Sequence, residues 1–275
     1  MSGELYLVAT PIGNLEDITL RAIKTLKQVD IIVAEDTRHT LKLLNHLEIT
    51  KPMISFQRHS DEKRKQEIIE KLLDGENIAL VTDAGTPGIS DPGEEIVIDA
   101  IKNNIKIIPV PGACALICGL ICSGLDTREF SFLGFLPMNN KNRAEKLKEI
   151  KFSKNTIILY EAPHKLRETL KDLKEILENR KIVLAHEISK IHESYLRGTV
   201  SEVMEKINEI KGEYVIVIER NIEISKKEED LNQLTLEEHY KYYEKLGYDN
   251  KEIIKQISKD RNVQKNDIYK YFIKK

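Results

Sequence analysis

Ile78-Ala79-Leu80-Val81-Thr82-Asp83-Ala84-Gly85-Thr86-Pro87-Gly88-Ile89-Ser90-Asp91-Pro92-Gly93-Glu94-Glu95 is the stretch on which the fold turns. Its opening, Ile78–Thr82, is a short apolar run of the kind found in a strand covered by helices on both faces. Glycines 85, 88 and 93 and prolines 87 and 92 then impose an irregular loop whose backbone can approach a ligand closely. Beyond it, Gly93–Asn103 reads as a helix. Asp91 is placed to cap that helix, with Pro92 at its first position and Glu94 at its third. Asp83, at the strand's end, is freer to face a ligand. Strand, loop and helix in this order are the unit of a doubly wound α/β domain, where ligands bind at the carboxyl ends of the strands.

The same unit repeats outward. Strands are predicted at Leu5–Ala9, Ile31–Ala34 and Ile107–Val110, and helices at Thr19–Val29, Thr40–Leu47 and Asp61–Asp74. After Pro111-Gly112 a small-residue helix, Ala113–Ser123, opens a second half. Strands are predicted there at Phe130–Gly134, Thr156–Tyr160, Ile182–His186 and Tyr214–Glu219, with Ser194–Gly198 as a candidate extra strand. Helices are predicted at Arg143–Lys151, Lys165–Leu177 and Val200–Ile210. Thr199 with Glu202 forms a capping-box pattern ahead of the last. The expected organisation is an α/β domain over 1–112, a second α/β domain with a mixed sheet over 113–222, a polar linker at Asn221–Asp230, and a helical tail over 231–275. Between His239 and Lys275 there are ten Lys or Arg against five Asp or Glu, interleaved with Tyr240, Tyr242, Tyr243, Tyr248, Tyr269, Tyr271 and Phe272. Such a surface suits RNA. The competing reading is a small helical subdomain with an aromatic core and solvated lysines.

The bulk numbers narrow the class. The chain has 275 residues, 41% hydrophobic and 32% charged, with a net charge of −2, so any attraction to nucleic acid must be local. The start, Met1–Thr10, lacks a basic region followed by a long apolar one, and no run approaches the roughly 20 apolar residues of a membrane span. A cytoplasmic protein is expected. Cys114, Cys118 and Cys122, at four-residue steps, fall on one helix face and read as small packing residues rather than disulfide or cluster ligands; no metal site is expected.

Two further loops accompany Asp83–Glu95: Thr10-Pro11-Ile12-Gly13-Asn14 after the first strand, and Pro109-Val110-Pro111-Gly112-Ala113-Cys114-Ala115 at the end of the Ile107–Val110 strand. Neither the dinucleotide fingerprint nor a P-loop is present. Taken together, the three loops resemble those of the tetrapyrrole methylase superfamily, and most closely the small-subunit rRNA cytidine-2′-O-methyltransferase family. The signature S-D-A-G-x-P-x-[LIV]-[SN]-D-P-G is matched by Thr82–Gly93 with only Thr82 departing. Leu7–Leu15, Ala34-Glu35-Asp36-Thr37-Arg38 and Tyr160-Glu161-Ala162-Pro163-His164 are similar as well. The likeness spans residues 3 to about 220. Lys165 and His186 stand where the family usually has arginine, and neither reproduces a bidentate guanidinium.

The resemblance implies two α/β domains with a cofactor cleft between them, S-adenosylmethionine as methyl donor, a homodimer, and 16S rRNA or the small ribosomal subunit as partner, with a decoding-centre cytidine as acceptor. Carried over by position, cofactor contacts fall at Pro11, at Asp83, Ala84 and Gly85, at Gly88, Ile89 and Ser90, at Cys114 and Ala115, and at Tyr160. Carboxylates such as Asp83 suit a ligand bearing a sulfonium and an amino group. Methyl transfer needs the acceptor oxygen about 3–3.5 Å from the methyl carbon. A base adds roughly 10²–10⁴-fold. Candidates for that part are Glu35, Asp36, Glu161, Glu187, Lys190, His59 and His164, with Arg38 as a phosphate- or acceptor-positioning residue. Each has a plainer alternative. Glu35–Thr37 can cap a helix with Arg38 neutralising it, Glu187 and Lys190 can be an ion pair, and His164 can be structural. Two rival functions remain open at this point: methylation of a tetrapyrrole, and a non-catalytic RNA-binding assembly factor with a vestigial pocket.

Overall fold

The computed structural model describes residues 2–57, 62–177, 179–207, 210–222, 231–245 and 248–273. His59 and residues 223–230 of the expected linker lie outside them.

Strands β1 (Glu4–Val8), β2 (Ile31–Ala34), β3 (Met53–Ser55), β4 (Ile78–Val81) and β5 (Lys106–Val110) form one sheet in the order β3-β2-β4-β1-β5. All its pairings are parallel. Helices α1 (Leu20–Gln28), α2 (Thr37–His46), α3 (Glu62–Leu73) and α4 (Glu94–Lys102) cover it. The strand period of two divides the side chains between the faces. Ile31, Val33, Ile78 and Leu80 pack with Ile68 and Leu72 of α3 and Ile96 of α4. Ile32, Ala34, Ala79 and Val81 pack with Ala22 and Leu26 of α1 and Leu44 of α2. Both faces are dry, which is why these strands read as continuous apolar runs. Strand β3 was not expected; it is three residues long at the sheet edge, too short to show a period.

The second sheet runs β6 (Phe130–Gly134), β7 (Thr156–Glu161), β10 (Tyr214–Ile218), β8 (Lys181–His186), β9 (Ser194–Thr199). Only β6 and β7 are parallel; the other neighbours are antiparallel, so the mixed sheet and the extra strand are both present. Helices α6 (Asn140–Phe152), α7 (Pro163–Leu177) and α8 (Val200–Lys206) bury Ile150, Leu166, Leu170, Leu173 and Val203 on one face. The capping box of Thr199 and Glu202 starts α8 as expected. Helix α5 (Ala115–Ile121) covers the other face with Leu116 and Leu120, and Ile12 from the first domain joins that cluster. The two domains therefore meet on the α5 side of the second sheet. Cys114 precedes α5, Cys118 lies within it and Cys122 follows it; all three thiols are free, and burial raises the Cys118 pKa.

The tail folds into α9 (Leu236–Lys245), α10 (Asn250–Asp260) and α11 (Lys265–Ile273). Tyr243, Ile253, Ile257 and Ile268 form its own core, with Tyr240, Tyr242 and Phe272 packed on it. Most of the aromatics are thus core, while Tyr248, Tyr269 and Tyr271 stay exposed.

Candidate active site

The three loops at the carboxyl ends of the first sheet are laced together. The Thr10 and Gly85 backbones exchange hydrogen bonds of 2.8 and 3.1 Å, and Thr10 Oγ1 donates to the Thr82 carbonyl at 3.1 Å. Thr86 Oγ1 donates to the Ala113 carbonyl at 3.1 Å, which joins the second loop to the third. Gly85 sits at φ +88°, a conformation costly for any residue with a Cβ, and that atom would also press on Ile12 at 3.3 Å.

Asp91 does not cap α4. The cap position is Gly93, at φ +136°, and the helix begins at Glu94. A Cβ on Gly93 would lie 2.8 Å from Leu80 Cδ2, so only glycine lets the chain turn this tightly over β4. Pro92 therefore lies outside the helix, and Asp91 lines the cleft wall.

That cleft, about 510 Å³, lies between the domains. Its first wall brings together Glu35, Asp83, Ala84, Gly85, Ile89 and Ser90 of the expected residues, and Ile12, Thr86 and Asp91 beside them. Its second wall carries Cys114, Ala115 and Tyr160, as expected, with Phe135, Glu161, Ala162, Pro163, His164, Ile188, Glu213, Tyr214 and Val215. Pro11 and Gly88 do not line it: Pro11 is buried beneath its loop and Gly88 is exposed on the outer turn.

Glu35 Oε2 accepts from Thr82 Oγ1 at 3.0 Å, and Asp83 Oδ1 accepts from the Asp36 N–H at 3.1 Å, so both carboxylates are held at the strand ends. Leu116 N–H donates to the Tyr160 hydroxyl at 3.1 Å, which fixes the Tyr160 ring against the start of α5. Phe132 and Phe135 meet that ring edge-on at 4.8 and 5.9 Å. Burial pushes the Tyr160 hydroxyl well above its ordinary pKa, so it stays protonated at neutral pH. Glu161 is almost wholly buried. It accepts from its neighbour Ala162 N–H at 2.8 Å and from Thr169 Oγ1 at 2.5 Å. Arg143 Nη2 donates to the same Thr169 oxygen at 2.9 Å and pairs with Asp172 at 2.7 Å.

Four of the candidate catalytic residues lie off the cleft. Asp36 caps α2 through the Arg38 N–H and pairs with its guanidinium at 2.7 Å, which holds the Asp36 pKa well below the carboxylate range. The Arg38 side chain is 88% exposed, on the outer surface beside the cleft. Glu187 and Lys190 pair at 2.9 Å, and Lys190 also reaches Glu213 at 3.2 Å while its stem packs against Gly13. These contacts are those of the plainer alternatives: a helix cap, and an ordinary ion pair within the second domain. Tyr160 and the base candidates Glu161 and His164 line the cleft together with Ala162 and Pro163 of the same Tyr160–His164 stretch, for which the sequence suggested no role. Tyr214 and Val215 belong to a uniformly apolar strand that offers no signal in the sequence.

Residues 4–204 match the family model of the tetrapyrrole (corrin/porphyrin) methylases. The chain is 49% identical over 273 residues to the ribosomal RNA small subunit methyltransferase I of Halalkalibacterium halodurans, covering 98% of this chain and 94% of that one. It is 48% identical to the protein of the same name from Bacillus subtilis, covering 97% and 93%. The chain belongs to the ribosomal RNA small subunit methyltransferase I family. The family fold is shared more distantly. A uroporphyrin-III C-methyltransferase from Thermus thermophilus, complexed with S-adenosyl homocysteine, superposes with a TM-score of 0.56 at 16% identity, covering 81% of this chain and all of that one. A diphthine synthase superposes at 0.63 and 13% identity, covering 79% and 90%. At those identities the likeness speaks for the fold. The family relation makes the inter-domain cleft the candidate site of methyl transfer.

Proposed function

We propose that this methyltransferase uses S-adenosylmethionine to methylate the ribose 2′-oxygen of a cytidine in the decoding centre of 16S rRNA, acting as a cytoplasmic homodimer. The observation that carries the reading is the chemistry of the cleft. Glu35, Asp83, Asp91, Glu161 and Glu213 make its polar wall strongly acidic, and Ile12, Ile89, Ile188, Val215 and the Tyr160 and Phe135 rings supply apolar surface. A sulfonium and an ammonium suit those carboxylates, an adenine ring suits the apolar faces, and the volume falls in the roughly 300–1,000 Å³ range of small-molecule sites. Asp83, Ala84, Gly85, Ile89, Ser90, Cys114, Ala115 and Tyr160 would hold the cofactor, with Pro11 and Gly88 shaping the loops behind them. When bound, it supplies an electrophilic methyl carbon.

The chain's own groups then position and deprotonate the acceptor. Of the base candidates on the cleft wall, Glu35, Glu161 and His164, Glu161 is almost wholly buried and already accepts from Thr169, whereas Glu35, fixed by Thr82 at the end of the first sheet, accepts the ribose hydroxyl proton. Arg38 holds RNA phosphate at the rim. Asp36 orients Arg38, and Glu187 with Lys190 hold the second domain against the Gly13 loop. The dimer is favoured by Leu20 and Ile191, 86% and 97% exposed, on segments that meet through the Ser189–Asp17 hydrogen bond. A tetrapyrrole acceptor is disfavoured because the rRNA methyltransferases resemble this chain at 40–53% identity, and the tetrapyrrole enzymes only at the level of fold. A vestigial pocket is disfavoured by the costly Gly85 and Gly93 conformations kept around it. Labelled cofactor given together with small ribosomal subunits and a porphyrinoid should mark the RNA alone. Glu35→Gln should lower kcat by roughly 10²–10⁴-fold with cofactor affinity retained. Label in the porphyrinoid, or an unchanged kcat, would overturn the acceptor or the base.

A further inference from the structure

Helix α10 carries Lys251, Lys255 and Lys259 at four-residue intervals, all three exposed. That spacing aligns them in one row, turned away from Ile253 and Ile257, which face the tail core. The acidic groups of the same helix are occupied elsewhere. Asp249 and Glu252 close a reciprocal capping box at its start. Asp260 is turned inward, its side chain 5% exposed, to accept from Tyr243 Oη at 2.5 Å and to contact His239 Nε2 at 3.2 Å. Among the described residues no carboxylate lies within ion-pair range of the three lysines. Helix α10 thus turns its carboxylates to capping and to the core, and presents cations outward on a chain whose net charge is −2.

We propose that the Lys251–Lys255–Lys259 row of α10 is a docking face for RNA phosphates, separate from the cleft, which secures the ribosomal substrate while the two α/β domains carry out transfer. This rests on the rRNA reading above and adds to it where the substrate is gripped. Unpaired, solvated lysines in a row bind phosphate as point charges, without sequence preference, and each contact releases counterions. The row therefore contributes affinity and leaves the chemical step alone.

The test compares the full chain with Lys251→Gln/Lys255→Gln/Lys259→Gln, and with a control, Lys141→Gln/Lys148→Gln/Lys174→Gln, that removes the same charge from the outer helices of the second domain. Binding to small ribosomal subunits is measured against salt, and methyl transfer is measured alongside. The α10 variant should lower the slope of log K against log salt by about 2–3 and raise KM for the subunit roughly tenfold or more, with kcat within about twofold. The control should leave the slope near that of the unaltered chain. An α10 variant that keeps its circular dichroism but shows an unchanged slope and KM overturns the proposal, as does an equal loss in the control. Because binding is read independently of transfer, absent label with an intact, α10-dependent salt slope would sink the methylation reading and leave the docking face standing.

Discussion

Thr169→Val removes one hydroxyl and almost no volume from the layer behind the cleft. Thr169 is fully buried, so no water replaces what is lost. Two bonds end with that oxygen: its donation to Glu161 Oε2 at 2.5 Å, and the donation it receives from Arg143 Nη2 at 2.9 Å. Hydrogen bonds to charged groups are worth roughly 1.5–3 kcal/mol. Arg143 keeps Asp172 at 2.7 Å and Glu161 keeps the Ala162 N–H, so neither charge is stranded. A loss of about 2–3 kcal/mol is expected, because the larger part comes from the buried Glu161 bond. For a chain of this size that lowers Tm by roughly 5–10 °C. Thr169→Ser keeps the hydroxyl and gives up one methyl group, a cost of about 1 kcal/mol. Urea and thermal unfolding of both variants measure the difference. Equal stabilities for Val and Ser, or a Val variant within about 0.5 kcal/mol of the unaltered chain, would refute the reasoning that Thr169 holds the Glu161 carboxylate in place.

Gly85→Ala places a Cβ at φ +88° and against Ile12, so about 1–3 kcal/mol of stability should be lost, together with cofactor affinity measured by calorimetry. Retained affinity would show that the loop backbone does not approach the ligand. Arg38→Ala should raise KM for the subunit and leave Tm in place, because an exposed ion pair adds little to stability; steady-state kinetics with an unchanged KM would remove Arg38 from the RNA-facing set. His239 is wholly buried, with Nδ1 accepting from Arg261 Nε at 3.1 Å, and burial lowers its pKa below the ordinary value of about 6.5. The unfolded tail therefore binds a proton before the folded one does. Tail stability should be complete above about pH 6.5 and should fall as pH drops toward the folded value. Near-UV dichroism of the tyrosine-rich tail between pH 7.5 and 5 would follow the loss, and a flat profile would contradict the neutral buried imidazole.

The strands of the first sheet were legible because burial on both faces leaves long apolar runs such as Ile31–Ala34. The loops were legible because Gly and Pro mark backbone that no other residue permits. What escaped had physical reasons. Met53–Ser55 is too short to show a period, and the roles within Ser90–Glu94 hinged on a steep turn over Leu80 that composition cannot reveal. Within the candidate site, the first wall draws mostly on one loop, Asp83–Asp91, whose glycines and prolines mark it in the sequence. The second wall is assembled from β6, β7, β8 and β10, and Tyr214 and Val215 reach the cleft only because β10 pairs between β7 and β8. Asp36, Arg38, Glu187 and Lys190 were drawn in by residue type; each found a partner within three positions along the chain, as short-range charge pairs commonly do.

The most direct test of the central claim is to give the purified protein labelled S-adenosylmethionine and small ribosomal subunits from a strain lacking it, then map the label through 16S rRNA. We expect one methyl group per subunit, on a single cytidine, at a ribose linkage that resists alkaline cleavage. Label on a base, spread over many nucleotides, or absent while the cofactor binds normally, would contradict a 2′-O-methyltransferase of the decoding centre.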